Sequence, residues 1–256
     1  MNLIIEQIEK LKSENKINIF WLGGAGFLIV YGRNTIAIDP YFSDACHDKD
    51  DKFKRIVPSP MSAADLILDY VICTHDHGDH FDFGSIHALL DNNITKLIGP
   101  DSVYKSALQL GIKEDKIDLL NRNQSKTYNI FTIETVMADH GFLSQDALGI
   151  IIRINGKTIY FTGDTCFNSS LFEQVIKKGE IDLLLLPING AFGNLDASEA
   201  AKVVSIINPK IAVPCHFWLF TEHGGDPGLF IKFCAEEKTD ARVKVLAIGE
   251  GLEIGL

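Results

Sequence analysis

The chain has 256 residues, of which 46% are hydrophobic, and its 24 basic and 34 acidic side chains leave a net charge of −10. This length and this hydrophobic content are typical of a globular protein with a large core. The negative charge weighs against nucleic acid as a partner, since affinity for a phosphate backbone depends largely on lysine and arginine.

Residues 1–16, MNLIIEQIEKLKSENK, predict a short amphipathic helix. Its apolar side chains Leu3, Ile4, Ile8 and Leu11 fall on one stripe, and charged residues interrupt any longer apolar run. The segment therefore lacks the pattern of a signal peptide or a membrane span, and we expect no membrane partner. The helix could form a homo-oligomer interface or dock on its own subunit. Five scattered cysteines favour reduced thiols in a cytoplasmic protein.

The rest of the chain consists of two series of elements, each rich in strands first and in helices second. The first series reads INIFWL, GFLIVYG, NTIAID and LDYVICT, followed by the helical patterns FGSIHALLD and SVYKSALQL. The second starts near Thr127 with three strands, two of them joined by the hairpin signal NGK, and then alternates helix and strand. We therefore predict an α/β fold, a four-layer αββα sandwich, in a single domain over 1–256. Periodicity alone leaves a single doubly wound sheet open as the alternative.

The segment THDHGDH, residues 74–80, follows the last strand of the first series. Side chains two apart in an extended segment point the same way, so His75 and His77 can converge on one ion. Gly78 permits a tight bend, after which we expect Asp79 and His80 to start a helix and reach a second ion. The alternative is a polar strand cap, but so dense a His/Asp set favours metal ligands.

Three further candidate ligands lie at the ends of strands in the second series. His140 occurs in VMADHG, Asp164 follows Gly163 in YFTGDT, and His216 closes IAVPCHF. Active sites of layered α/β folds gather where several strand ends meet loops, so this shared position favours a role in the same centre.

With these motifs, the chain resembles the metallo-β-lactamase superfamily. The resemblance is carried by THDHGDH, by His140, by TGDT around Asp164 and by VPCHF around His216, with support from IAIDPY around Asp39. Within the superfamily, THDHGDHFD, LIGPDSV, LLPING, NPKIAVPCHFWLF and HGGDP are similar to the branch of L-ascorbate-6-phosphate lactonases. The resemblance extends over nearly the whole chain.

The resemblance implies a metal-dependent hydrolase with one or two divalent ions, Mn or Zn. One ion would be held by His75, His77 and His140, the other by Asp79, His80 and His216, with Asp164 bridging. It further implies that metal-bound hydroxide opens a small sugar-acid phosphate lactone such as L-ascorbate 6-phosphate, and Asp79 is a candidate general base. Cys215 should miss the site, because neighbours on a strand point to opposite faces.

Four residues are candidate substrate contacts. Trp218, Glu222 and His223 follow His216 and could line the mouth of the site, and Arg55 is a candidate cation for a substrate phosphate. The alternative is that they are ordinary core and loop residues. Two other functions stay open, namely a metal-dependent phosphodiesterase and a non-catalytic metal-binding protein on the same scaffold.

Overall fold

The computed structural model describes residues 2–92 and 94–255. These residues form two compact units. Unit 1 comprises the described residues of 1–120, 219–221 and 246–256, and unit 2 comprises 121–218 and 222–245. The interpretation of 1–256 as a single domain stays a prediction.

The helices and strands follow the two series expected from the sequence. The helices are α1 (Leu3–Leu11), α2 (Ala45–Lys49), α3 (Ile86–Leu90), α4 (Asp101–Gln109), α5 (Ser169–Ile176), α6 (Ala197–Ile207) and α7 (Pro227–Glu236). The strands are β1 (Ile17–Gly23), β2 (Gly26–Tyr31), β3 (Asn34–Ile38), β4 (Tyr70–Ile72), β5 (Lys96–Gly99), β6 (Ile117–Leu119), β7 (Ser125–Thr127), β8 (Phe131–Met137), β9 (Leu148–Ile154), β10 (Lys157–Phe161), β11 (Leu183–Pro187), β12 (Ile211–Cys215), β13 (Arg242–Val243) and β14 (Gly251–Ile254).

Unit 1 contains one mixed sheet with the strand order β14-β1-β2-β3-β4-β5-β6. The first four strands in this order are antiparallel neighbours, whereas β3 to β6 are parallel, with Ile38 paired to Ile72 and Ile72 to Ile98. Because the carboxyl ends of parallel strands meet at one edge, the residues that follow β3 and β4 lie close together. Asp39 and the segment 74–80 are at this edge.

Unit 2 contains the second mixed sheet, with the order β13-β12-β11-β10-β9-β8-β7. Strands β10 to β13 are parallel, and β7 to β10 are antiparallel neighbours. Strand β8 therefore runs in the same direction as β10 and β12. The carboxyl ends of β8, β10 and β12 consequently share one edge, where His140, Asp164 and His216 follow them.

The hairpin predicted from NGK joins β9 to β10 by antiparallel pairing. Asn155 and Gly156 have φ angles of 47° and 71°, the left-handed values that a two-residue hairpin turn requires at both central positions. With two mixed sheets and flanking helices, the predicted α/β fold is confirmed, and a single doubly wound sheet is excluded for the described residues.

The N-terminal helix predicted within 1–16 is α1, which packs on the core of unit 1. Ile8 is 2% exposed and forms part of that core, and Ile4 and Leu11 pack against it. Leu3 is 80% exposed, so the stripe covers the core with three of its four expected residues. Within the described part of the chain, none of the helices has the length and apolar character needed to cross a bilayer.

Candidate metal centre

The first cluster of ligand-type side chains lies in unit 1, directly after β4. His75 is fully buried, and its Nε2 atom lies 2.9 Å from Nδ1 of His77. Metal–nitrogen bonds of histidine are about 2.0–2.1 Å long, so two nitrogens at this separation can both bind one ion. The other ring nitrogen of His75, Nδ1, lies 3.0 Å from the Thr74 hydroxyl, which orients the ring and keeps Nε2 for the ion.

The Asp39 carboxylate contacts Nδ1 of His80, and the candidate ligand atom of His80 is the other ring nitrogen, Nε2. Asp39 is fully buried, and its Oδ2 atom lies 2.7 Å from Nδ1 of His80. Thr74 donates to the same carboxylate from its backbone N–H and its hydroxyl, each at 2.7 Å. Burial raises the pKa of the Asp39 carboxyl, whereas the adjacent His80 imidazole acts in the opposite direction.

A carboxylate on one nitrogen of an imidazole fixes the tautomer and leaves the other nitrogen to bind a metal. In His80 that other nitrogen is Nε2, which lies 3.7 Å from Oδ2 of Asp79. His80 Nε2 and the Asp79 carboxylate therefore offer a second pair of ligand atoms, next to the pair from His75 and His77.

The expectation that Asp79 and His80 start a helix is wrong. They lie in a hydrogen-bonded turn, in which the N–H of His80 donates to the carbonyl of His77 at 2.9 Å, and α3 begins only at Ile86. The reason is the buried Asp82, whose carboxylate accepts the backbone N–H groups of Phe42 and Ser43 and so ties the chain to that loop.

At Gly78 the backbone packs too closely against neighbouring side chains to leave room for a Cβ atom. A Cβ atom at Gly78 would lie 2.6 Å from the Phe83 ring and 2.9 Å from Cys46 Sγ. The sequence expectation of a tight bend at Gly78 is therefore consistent with a backbone that packs directly against two side chains.

The second cluster lies in unit 2 and is centred on the buried Asp164. Its Oδ1 atom lies 3.3 Å from Nε2 of His216, and its Oδ2 atom lies 3.8 Å from Nε2 of His140. The two oxygens thus face two different imidazoles. All three side chains are nearly excluded from solvent. This is the arrangement in which one carboxylate can serve two ions, one through each oxygen.

The backbone after each strand brings these side chains to the common edge. Gly163 has a φ of 63° before Asp164, and His216 itself has a φ of 61° directly after β12. A left-handed conformation is unfavourable for a histidine, and such strain is typically retained where function requires it. The sequence predicted that His216 closes the strand, and in the structure His216 has a left-handed backbone conformation directly after β12.

Cys215 is the last residue of β12 and is fully buried. Its thiol should face away from the His216 imidazole, because successive residues at the end of a strand point to opposite sides. We therefore expect Cys215→Ser to retain the metal content and turnover of the wild type, as measured by elemental analysis and a hydrolysis assay. Loss of bound metal in this variant would show that the ligand set includes the thiol.

One contact of Asp164 was not expected from the sequence. Asn194 donates from Nδ2 to Asp164 Oδ2 at 2.8 Å. Asn194 lies in the Gly-rich segment between β11 and α6, where an asparagine usually indicates only a turn. No feature of the single sequence distinguishes this asparagine from the others.

Three of the predicted substrate contacts lie in unit 2, within seven residues after His216 in the sequence. The ring of His223 is buried, with its centroid 4.6 Å from that of His216. Trp218 is 53% exposed and has a φ of 57°, and Glu222 is half-buried. Their roles in substrate binding stay predictions.

Arg55 belongs to unit 1, where it holds two loop carbonyls. Its Nη1 donates to the carbonyl of Tyr41 at 2.9 Å and its Nε to that of Val57 at 3.3 Å. Its Nη2 atom is buried and has no hydrogen-bond partner in the described part of the chain. Contact of Arg55 with substrate stays a prediction.

The seven predicted ligands are a His/Asp set that could bind metal ions. Unit 1 contains the candidate ligands His75, His77, Asp79 and His80, and unit 2 contains the candidate ligands His140, Asp164 and His216. They offer imidazole nitrogens and carboxylate oxygens, which suit several divalent transition metals. The chemistry of the donors and the contacts within each unit therefore fit a divalent metal centre.

Comparisons with known proteins agree with a metal centre in this chain. Residues 18–216 match the family model described as the β-lactamase superfamily domain. The chain is 32% identical over 238 residues to a UPF0173 protein of Pyrococcus abyssi, covering 93% of this chain and 100% of that protein. It is 30% identical over 249 residues to a UPF0173 metal-dependent hydrolase of Pyrococcus furiosus, with the same coverage of 93% and 100%. The solved structure of Igni18, a metallo hydrolase from Ignicoccus hospitalis, has the same fold, with a TM-score of 0.73, 22% identity and coverage of 94% and 99%.

Proposed function

This chain belongs to the UPF0173 family and is a metal-dependent hydrolase of the metallo-β-lactamase superfamily, and on that premise we propose that it is a lactonase. The proposed substrate is a small sugar-acid phosphate lactone similar to L-ascorbate 6-phosphate. The observation that carries the proposal is the buried Asp164, whose two oxygens face His216 and His140. Such a carboxylate supports a two-ion centre of the kind that hydrolyses esters.

In this proposal, His75, His77 and His140 would hold one ion, and Asp79, His80 and His216 would hold the other. Asp164 would be the ligand that they share. The proposed ions are Mn or Zn, as the resemblance implies, and the nitrogen and carboxylate oxygen donors are compatible with either metal. When bound, a divalent ion lowers the pKa of a coordinated water to about 7 and polarises an oxygen of the substrate.

The protein's own groups orient the ligands and move protons. Asp39 and Thr74 fix the rings of His80 and His75 through the contacts described above. Asp79 is the candidate general base, because its carboxylate is partly exposed, at 16%, and lies beside Nε2 of His80. His223 packs against His216 and is the candidate acid that donates a proton to the leaving ring oxygen.

Three side chains are proposed to bind the rest of the substrate. The exposed indole of Trp218, two residues after His216, offers an apolar face. The buried Nη2 of Arg55 makes no hydrogen bond within the described residues, so its two N–H donors are available to a phosphate oxygen. Glu222 is the candidate acceptor for a sugar hydroxyl.

The alternative function is hydrolysis of a phosphodiester. It is favoured by the same feature of Asp164, because two ions held by one carboxylate can stabilise both the attacking and the leaving oxygen of an in-line displacement. The net charge of −10 makes a small diester a better candidate than nucleic acid.

The test combines elemental analysis of the purified protein with two assays. We expect one to two equivalents of Mn or Zn, and opening of L-ascorbate 6-phosphate that is lost on chelation and restored by metal. Cleavage of bis(p-nitrophenyl) phosphate without lactone opening would replace the proposal with its alternative. Failure to bind metal after reconstitution would contradict both and indicate a non-catalytic protein.

A further inference from the structure

We propose that Asn194 is a positioning residue that fixes the Asp164 carboxylate between His140 and His216. The inference rests on the proposed metal-dependent function, because it concerns how one ligand of that centre is held. Asn194 itself is not among the seven candidate ligands.

The contact between the two side chains is short and shielded. Nδ2 of Asn194 lies 2.8 Å from Oδ2 of Asp164, and the two residues are 6% and 4% exposed. A carboxylate only accepts hydrogen bonds, so the amide nitrogen of Asn194 must face it, and the amide oxygen must face away. Because water has little access, a direct hydrogen bond of this kind contributes to the orientation of the carboxylate.

The backbone around Asn194 is held on both sides. The N–H of Asn194 donates to the carbonyl of Ala191, and the N–H of Leu195 donates to the carbonyl of Thr165, both at 3.0 Å. The second bond ties the segment directly to the residue after Asp164. A positioning group needs a rigid support of this kind, since a mobile donor would not define the direction of the carboxylate.

The start of α6 supports the same segment. Asp196 is the N-cap of α6 and forms a reciprocal capping box with Glu199. This anchors the chain two residues after Asn194 to an eleven-residue helix. The start of α6 and the loop that follows β10 therefore both hold the segment that carries the amide.

The same segment also reaches the other side of the cluster. Phe192 contacts the ring of His223 with a centroid separation of 5.9 Å, and His223 in turn packs on His216 at 4.6 Å. The segment between β11 and α6 thus contacts Asp164 directly and His216 through one intervening ring.

The hydrogen bond from Asn194 goes to one of the two oxygens of Asp164. Asn194 donates to Oδ2, which is the oxygen on the side of His140, whereas Oδ1 is on the side of His216. Loss of the donor should therefore first weaken the ion that His140 is proposed to hold. The second ion should be less affected.

The experiment compares metal affinities of the wild type, Asn194→Asp and Asn194→Ala by competition with a chromogenic Zn²⁺ chelator. Asn194→Asp keeps the size of the side chain but replaces the donor with a second carboxylate, and Asn194→Ala removes it. We expect one of the two Zn²⁺ equivalents to bind about 10–100-fold more weakly in both variants, the usual effect of losing such an outer contact. Excess metal should restore kcat in Asn194→Ala, which a folding defect would not allow.

A matched control is available in unit 2. Asn168 also donates from Nδ2 to an aspartate, Asp139 Oδ2, at 3.2 Å, but Asp139 is not a candidate ligand. Asn168→Asp should therefore leave both Zn²⁺ affinities unchanged. Wild-type affinities in the two Asn194 variants would overturn this inference alone, and so would an equal loss in Asn168→Asp. A wild-type protein that binds no metal would overturn the proposed function and this inference together.

Discussion

Asp164→Ala should abolish hydrolysis while the protein stays folded. The substitution removes the carboxylate whose oxygens face His216 and His140, so the ions lose their shared ligand. We expect kcat/KM to fall by more than about 10³-fold, because metal ions contribute several kcal/mol to stabilising the transition state. The measurement is steady-state kinetics on the proposed lactone substrate, together with elemental analysis of the variant.

The matched control is Asp139→Ala, which removes a neighbouring carboxylate of unit 2 that is outside the candidate ligand set. Far-UV circular dichroism should give wild-type spectra for both variants. A wild-type kcat in Asp164→Ala would contradict the two-ion centre, and an equal loss in Asp139→Ala would show that the effect is not specific to the bridging position.

Asp39→Ala should have the largest effect on stability. Asp39 is fully buried and accepts two hydrogen bonds from Thr74 and one from His80, so its removal leaves three buried polar groups without their acceptor. Breaking a buried pair of this kind costs about 3–5 kcal/mol. We expect a loss of that size in the free energy of unfolding, measured by urea denaturation, and a weaker hold on metal because His80 loses its orientation.

Asp39→Asn removes the charge of the side chain but keeps a residue type that fits the backbone conformation at this position. Asp39 has a φ of 44°, and asparagine tolerates this left-handed conformation whereas alanine does not. Asn should therefore retain part of the hydrogen bonding and lose less stability than Ala. If Asp39→Ala unfolded at the same urea concentration as the wild type, the contacts to Thr74 and His80 would not contribute to stability.

Much of the candidate site could be predicted from the sequence because its signals are local. In THDHGDH the ligand types are consecutive, and the extended backbone after a strand brings His75 and His77 to the same side without any information from the rest of the fold. His140, Asp164 and His216 were recognised in the same way, each by its place after an apolar run. The hairpin at Asn155 and Gly156 has a dipeptide signal of its own.

The start of α3 shows where local signals fail. The helical pattern after Asp79 is genuine, but the carboxylate of Asp82 binds the backbone of Phe42 and Ser43, which are far away in the sequence. A pattern along the chain carries no information about such a distant partner. The helix therefore begins at Ile86 and not at Asp79.

The amino-acid sequence by itself determined the types of ligand, their places at strand ends and the family to which they point. Only the tertiary structure decided which side chains form hydrogen bonds to these candidate ligands. Asp39 contacts Nδ1 of His80, and Asn194 donates to one oxygen of Asp164. The physical reason is that ligand chemistry belongs to the residue and its immediate neighbours, whereas a hydrogen-bond partner is selected by strand order and loop path. Two loops that follow neighbouring strands bring together Asp164 and Asn194, 30 positions apart, and no spacing along the chain encodes their proximity.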